Sequence, residues 1–294
     1  MDTSITNTAW TKLTRLLEMI KFSHTVFALP FALMGMVLAS LANGIAPTLG
    51  QVFWICLAMV GARTGAMGLN RIIDARIDAD NPRTAERHLP AGKVAMGEAW
   101  LLVLGAFALL LLAAWMLNPL CLQLAPVAIF FLALYSYCKR FTSMAHVVLG
   151  ICLAAAPIGA WIALRGDIGW PVIVLGLAVL FWVAGFDVFY ALQDYEFDRD
   201  KGLFSIPSCF GVERSFLITR VFHVTMIFLL LMLVFSEGLG LIYLSGVVVV
   251  AGLLIYEHML VRPDDLSRLD AAFFNMNGYI SVTIFLFTLA DALI

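Results

Sequence analysis

Two stretches of the chain set oxygen-bearing side chains at helical spacing. Asn70, Asp74 and Asp78 recur every fourth residue, which puts one amide and two carboxylates in a column on one face of a helix. Tyr190, Asp194 and Asp198 repeat that spacing in a second stretch, which opens with Asp187. Like charges four residues apart destabilise a helix, and carboxylates close to lipid are costly, so each column calls for a cation. Mg²⁺ suits the role: it prefers hard oxygen ligands, is usually held by one or two carboxylates, and completes its shell with water and phosphate oxygens. Asp74, Asp78, Asp194 and Asp198 are therefore candidate metal ligands. A diphosphate bridged through Mg²⁺ to both columns would become a good leaving group. A solvated acidic rim paired with Arg71, Arg76 and Arg199 is the plainer alternative, and it accounts for one column more easily than for two of matched spacing.

Basic and aromatic groups lie near the columns. Arg63 is seven residues before Asn70, on the same face and deeper in an apolar run, where a guanidinium needs an anion: a neighbouring acid, a diphosphate or an acidic substrate. Tyr135, Tyr137, Lys139 and Arg140 close a later apolar run. Anchoring at the membrane surface alone would explain that basic pair, but beside the acids they are candidate phosphate or carboxylate ligands. His24, Asn275 and Asn277 read as interhelical hydrogen bonds. The five cysteines have no paired spacing and imply neither disulfides nor zinc.

The elements that must position these groups are membrane helices. With 62% hydrophobic and 13% charged residues, and a mean hydropathy of +0.96, the chain belongs in a bilayer. No nucleic-acid footprint is visible. Nine apolar runs of about 20 residues fall at roughly 22–43, 50–72, 96–117, 119–138, 143–164, 170–193, 214–235, 238–258 and 273–293. The expectation is an all-α polytopic bundle forming one domain over 1–294, with its first run retained rather than cleaved as a signal peptide. Residues 1–21 form an interfacial segment, since Trp10, Leu13, Leu16, Leu17 and Ile20 share one face. Loops 73–95 and 194–213 cover the acidic mouth. With nine spans, the basic residues outside them gather on one side and only Arg165 falls on the other, so the N-terminus and the three longest loops are expected to be cytoplasmic. The columns lie four spans apart, each followed by a Gly- and Pro-containing loop, which suggests two four-helix units plus a ninth helix.

These motifs resemble those of the UbiA superfamily of intramembrane aromatic prenyltransferases. The pattern Asn-x3-Asp-x3-Asp is carried by Asn70, Asp74 and Asp78, and Asp-x2-Tyr-Ala-x2-Asp-x3-Asp by Asp187, Tyr190, Ala191, Asp194 and Asp198. Arg83 to Gly92 resembles the family loop R-T-x-x-R-x-L-P-x-G, and Tyr135, Lys139 and Arg140 match Tyr-x3-Lys-Arg. Arg63 also falls at a family arginine. Phe204 stands where many relatives have lysine, which removes one expected phosphate contact.

The resemblance implies a bacterial inner-membrane enzyme that uses Mg²⁺ to transfer a polyprenyl group from polyprenyl diphosphate to an aromatic acid in quinone biosynthesis. Its opening segment, residues 20–32, resembles a 4-hydroxybenzoate branch, with 1,4-dihydroxy-6-naphthoate as the alternative acceptor. Asn70, Arg63, Lys139, Tyr135 and Arg87 would bind donor or acceptor. Arg140 would assist the departing diphosphate, Asp187 or the released diphosphate would take the ring proton, and Tyr190 would shape the acceptor pocket. A cation-coupled transporter also uses intramembrane carboxylates and repeats, but it places them near the midplane rather than at one edge.

Overall fold

The computed structural model describes residues 9–20, 28–262, 266, 269 and 275–294. Its described elements are helices: α1 (Ala9–Met19), α2 (Leu29–Asn43), α3 (Leu49–Asp80), α4 (Met96–Leu117), α5 (Pro119–Cys138), α6 (Ala145–Arg165), α7 (Trp170–Ala191), α8 (Tyr195–Lys201), α9 (Ile206–Phe210), α10 (Val212–Glu237), α11 (Leu241–Leu260) and α12 (Asn277–Ala292). Each of the nine apolar runs overlaps one of them. Seven helices are long and apolar enough to cross a membrane; α2, with 15 described residues, and α12, with 16, are shorter. At 1.5 Å per residue the described part of α2 reaches about 22 Å, short of a hydrocarbon core of about 30 Å. His24 and Lys21 lie outside the described residues.

Helix α7 is the axis of the bundle. It packs against α6, α10 and α2, so its surface is apolar all round rather than striped. Trp182 meets Phe31 of α2 at a ring separation of 4.9 Å and Phe186 one turn on at 5.0 Å. Matched pairings recur in the two units: α3 packs on α4 and α4 on α5, as α7 packs on α10 and α10 on α11. The first helices of the units, α2 and α6, pack on each other, and α12 fills the space between α11 and α2. Small residues allow the closest approaches. A Cβ built on Gly150 of α6 would stand 2.5 Å from the carbonyl oxygen of Leu180, and one on Gly61 of α3 would stand 2.7 Å from that of Ala106. Both neighbours are backbone, so the glycines set the distances between helices.

Three boundaries differ from the sequence reading. The segment 73–95 is not loop throughout: α3 runs on to Asp80, because nothing between Ile73 and Asp80 breaks a helix and the first proline is Pro82. At 32 residues α3 spans about 48 Å, well beyond an apolar core, and it carries its acids on its last three turns. The second loop, 194–213, holds α8, α9 and the start of α10, separated at Gly202 and Gly211, whose φ angles are +65° and +83°. The N-terminal segment forms α1, but its end packs on protein: Met19 and Ile20 are buried with Val94 and Ala99, and Lys12 pairs with Glu98 at 3.0 Å. Of the asparagines, Asn277 is fully buried at the start of α12, whereas Asn275 is exposed rather than held between helices. The five cysteines are free thiols.

Candidate active site

The first acidic column survives intact. Asp74 and Asp78 are each only 4% exposed, so each carboxylate needs partners close at hand. Asn70 donates to Asp74 Oδ2 at 3.1 Å, and Lys139 Nζ lies 2.7 Å from the same oxygen. Arg140 reaches Asp74 Oδ1 at 3.0 Å while also donating to the carbonyls of Ile73 and Ser136, at 2.9 and 2.8 Å. One guanidinium thus ties the end of α5 to α3. Asp78 is held by Arg87 Nη1 at 2.7 and 2.8 Å from its two oxygens, with Arg71 at 4.0 Å; Arg71 in turn donates to the carbonyl of Met19.

The second column is not one continuous helix. After Ala191 the chain tightens into a 3₁₀ turn, Leu192–Asp194, before α8 begins at Tyr195. Asp194, Glu196, Asp198 and Asp200 fall within seven residues, and a continuous α-helix would stack Asp194 directly over Asp198. The tighter turn changes the register ahead of Asp194, and the Asp194 charge still acts on Asp198. Asp194 faces the first motif across the mouth: Asn81 Nδ2 donates to it at 2.8 Å, and Arg83 pairs with it through Nη2 and through Nε, the latter at 2.9 Å. Arg83 also donates to the Tyr190 hydroxyl at 3.3 Å and lies 5.4 Å from the centre of that ring. Burial works against the Arg83 charge, but the hydrogen bonds and attraction from Asp194 and Tyr190 prevail and hold its pKa above the ordinary guanidinium value. Asp198 is half-buried on α8, with Asp194, Ser205, Lys139 and His146 around it. Asp187 is paired instead with His146, at 2.7 Å.

Below these charges lies an apolar cavity of about 520 Å³ between α3, α4, α5, α6 and α7. Arg63, Asn70 and Tyr135 line it together, and it continues past Met59, Leu117 and Phe131. Among the described residues Arg63 is the one charged side chain in its lining, and its Nε is buried without a hydrogen-bond partner. A guanidinium with an unsatisfied buried nitrogen in an apolar cavity is a ready-made anion receptor.

The structure brings the candidate residues Asn70, Asp74, Asp78, Lys139, Arg140 and Arg87 into one cluster and Tyr190 and Asp194 into the facing one, and it sets Arg63 and Tyr135 at the cavity. The sequence did not single out Arg83, Asn81 or His146. Arg83 opens the Arg-Thr-x-x-Arg loop and was available there. A lone histidine at the start of an apolar run carries no local signal at all.

The donor set fits Mg²⁺ in a particular way. Among the described residues no three His, Cys, Asp or Glu side chains come together closely enough to hold an ion by themselves. What the site offers is a carboxylate pair on α3 and another at the α7–α8 junction, which is the complement Mg²⁺ takes when phosphate oxygens supply the rest.

A bundle of apolar helices with facing acidic motifs, basic partners and an apolar cavity beneath them has the build of an intramembrane enzyme. Residues 28–279 match the model of the UbiA prenyltransferase family, and the chain belongs to that family. A 4-hydroxybenzoate octaprenyltransferase of Vibrio campbellii is 30% identical over 262 residues, covering 88% of this chain and 87% of that one. Among solved structures, the apo form of a UbiA homologue from Aeropyrum pernix superposes with a TM-score of 0.83 at 32% identity, covering 92% of this chain and 98% of the other. A UbiA homologue from Archaeoglobus fulgidus, solved with DMAPP and Mg²⁺, shares the fold with a TM-score of 0.69 at 20% identity, covering 96% and 99%.

Proposed function

We propose that this prenyltransferase transfers a polyprenyl group from polyprenyl diphosphate to a ring carbon of 4-hydroxybenzoate, in a bacterial cytoplasmic membrane with the acidic mouth facing the cytoplasm. The observation that carries this reading is the junction of the charged cluster with the apolar cavity at Arg63, Asn70 and Tyr135. It offers a polar seat for a diphosphate directly above a dry space for a hydrocarbon tail. The names of the curated relatives and the DMAPP and Mg²⁺ of the archaeal homologue point the same way.

Each residue's part follows from its surroundings. Asp74, Asp78, Asp194 and Asp198, with Asn70 beside them, would hold Mg²⁺, which would supply charge neutralisation at the diphosphate. Lys139, Arg140, Arg83 and Arg87 hold Asp74, Asp194 and Asp78 in the structure described here and would turn to phosphate oxygens when the donor arrives. The apolar walls keep water from the allylic cation as the carbon–oxygen bond breaks. Arg63 and Tyr135 receive the acceptor's carboxylate at the cavity, and Tyr190 closes the opposite side. The electron-rich ring carbon attacks, and Asp187 takes the ring proton.

The test is direct. Membranes containing the protein are incubated with geranyl or longer diphosphates, Mg²⁺ and either 4-hydroxybenzoate or 1,4-dihydroxy-6-naphthoate, and the product is identified by mass. A prenylated hydroxybenzoate supports the proposal. A product formed only from the naphthoate replaces the acceptor, and no prenylated aromatic with either acid overturns the reading.

A further inference from the structure

We propose that His146 is a positioning residue that orients the Asp187 carboxylate and, through the same ring, docks the second loop over the site. The proposal rests on the reading of Asp187 as the group that takes the ring proton.

His146 is the second residue of α6 and is 3% exposed. Its Nδ1 lies 2.7 Å from Asp187 Oδ2 on α7, and its Nε2 lies 3.1 Å from the backbone nitrogen of Ile206, the first residue of α9. A backbone N–H can only donate, so Nε2 is the unprotonated nitrogen and accepts from it. The ring proton of the neutral imidazole therefore sits on Nδ1 and is donated to Asp187. Two partners on two elements fix one tautomer and one ring orientation.

Both ends of this bridge matter. Asp187 Oδ2 is committed to His146, which sets the carboxylate plane and leaves the other oxygen to accept a proton. A carboxylate free to rotate would meet the ring proton in only a fraction of its orientations. At the other end, the amide of Ile206 is one of the helix-start groups that has no partner within its own helix. Ser205 spends its side chain on the amide of Ser208 at 3.1 Å, which leaves Ile206 to His146. A second tie, from the amide of Phe204 to the carbonyl of Lys139 at 2.7 Å, holds the same loop to the end of α5. Docking of the loop and alignment of Asp187 are thus one event read by one side chain. A histidine that merely filled space would need neither partner.

The experiment uses the full chain in membranes, with geranyl diphosphate, Mg²⁺ and 4-hydroxybenzoate, and follows kcat, KM and amide hydrogen exchange of the 203–211 segment. His146→Leu is expected to lower kcat about tenfold or more, to leave the donor KM within about twofold, and to speed exchange at Ile206. His146→Gln, whose one amide offers both a donor and an acceptor, restores most of both readouts. The double variant with Asp187→Asn should be no slower than Asp187→Asn alone, since both changes act on one unit. If His146→Leu does not fold, the Gln variant and the exchange of Ile206 in His146→Asn carry the same comparison. Wild-type kcat in His146→Leu, additive losses in the double variant, or unchanged exchange at Ile206 would each overturn the proposal. An active Asp187→Asn variant would instead remove the role given to Asp187, and this positioning with it. That result is distinct from a failure confined to His146, in which Asp187→Asn is strongly slowed and His146→Leu is not.

Discussion

At the residue scale, three of the four mouth carboxylates, Asp74, Asp78 and Asp194, already own a cation. Removing Asp74 releases Lys139 and Arg140 together, and removing Asp194 releases Arg83 and Asn81. Asp74→Ala and Asp194→Ala are each expected to lower turnover at least about 10³-fold while the protein still inserts in the membrane; activity near wild type in either would remove these acids from the site. A chelator should silence the wild type in the same assay, with Mg²⁺ restoring it. Glu257 is a contrasting carboxyl: it is 1% exposed and neither oxygen has a hydrogen-bond partner. Nothing in the proposed chemistry uses it, so Glu257→Met should raise the thermal midpoint in detergent, by an amount corresponding to about 1–3 kcal/mol. A lower midpoint would show that the carboxyl has a structural partner. Much of the mouth was legible because charge in an apolar chain is rare and the fourfold spacing is visible by eye. His146 was not legible, because its partners lie 41 and 60 residues away and only the folded chain brings them together.

At the scale of elements, α3 and the segment after α7 make similar sequence patterns into different structures. The first column stays α-helical because its three oxygen-bearing side chains are interleaved with Arg71 and Arg76 and faced by Lys139, Arg140 and Arg87. The second packs four acids into seven residues and tightens into a 3₁₀ turn instead. Spacing alone predicted a column for both; the second departs from it at the Leu192–Asp194 turn. Contacts between helices are set by small residues that spacing does not reveal. Gly150→Val would drive a side chain into the carbonyl of Leu180, where no flexible side chain can yield. It should cost about 1–3 kcal/mol or more, read as a fall of several degrees in the detergent melting midpoint. An unchanged midpoint would mean that α6 and α7 can separate without loss.

At the scale of the whole molecule, the apolar runs announced the positions and order of the apolar helices, seven of them long enough among the described residues to cross a membrane; the loops were harder because α8 and α9 are too short to carry a periodic signal. The asymmetry of Lys and Arg makes a further prediction. Reporter fusions after residues 141 and 204 should report the cytoplasm, and those after 46 and 167 the opposite side. A reversed pattern would place the acidic mouth on the far face and deny it a cytoplasmic donor.

Helix α12 packs against both α11 and α2, so α2 shares a face with a helix made long after it. More than 200 residues separate Asn43 from Asn277, and at ordinary synthesis rates that interval lasts on the order of tens of seconds. For that time the α12-facing side of α2 has no native neighbour in the nascent chain. Biogenesis of this bundle therefore includes a waiting period, during which lipid or the insertion machinery must stand in for the missing helix, and premature termination before α12 would leave that face open for good.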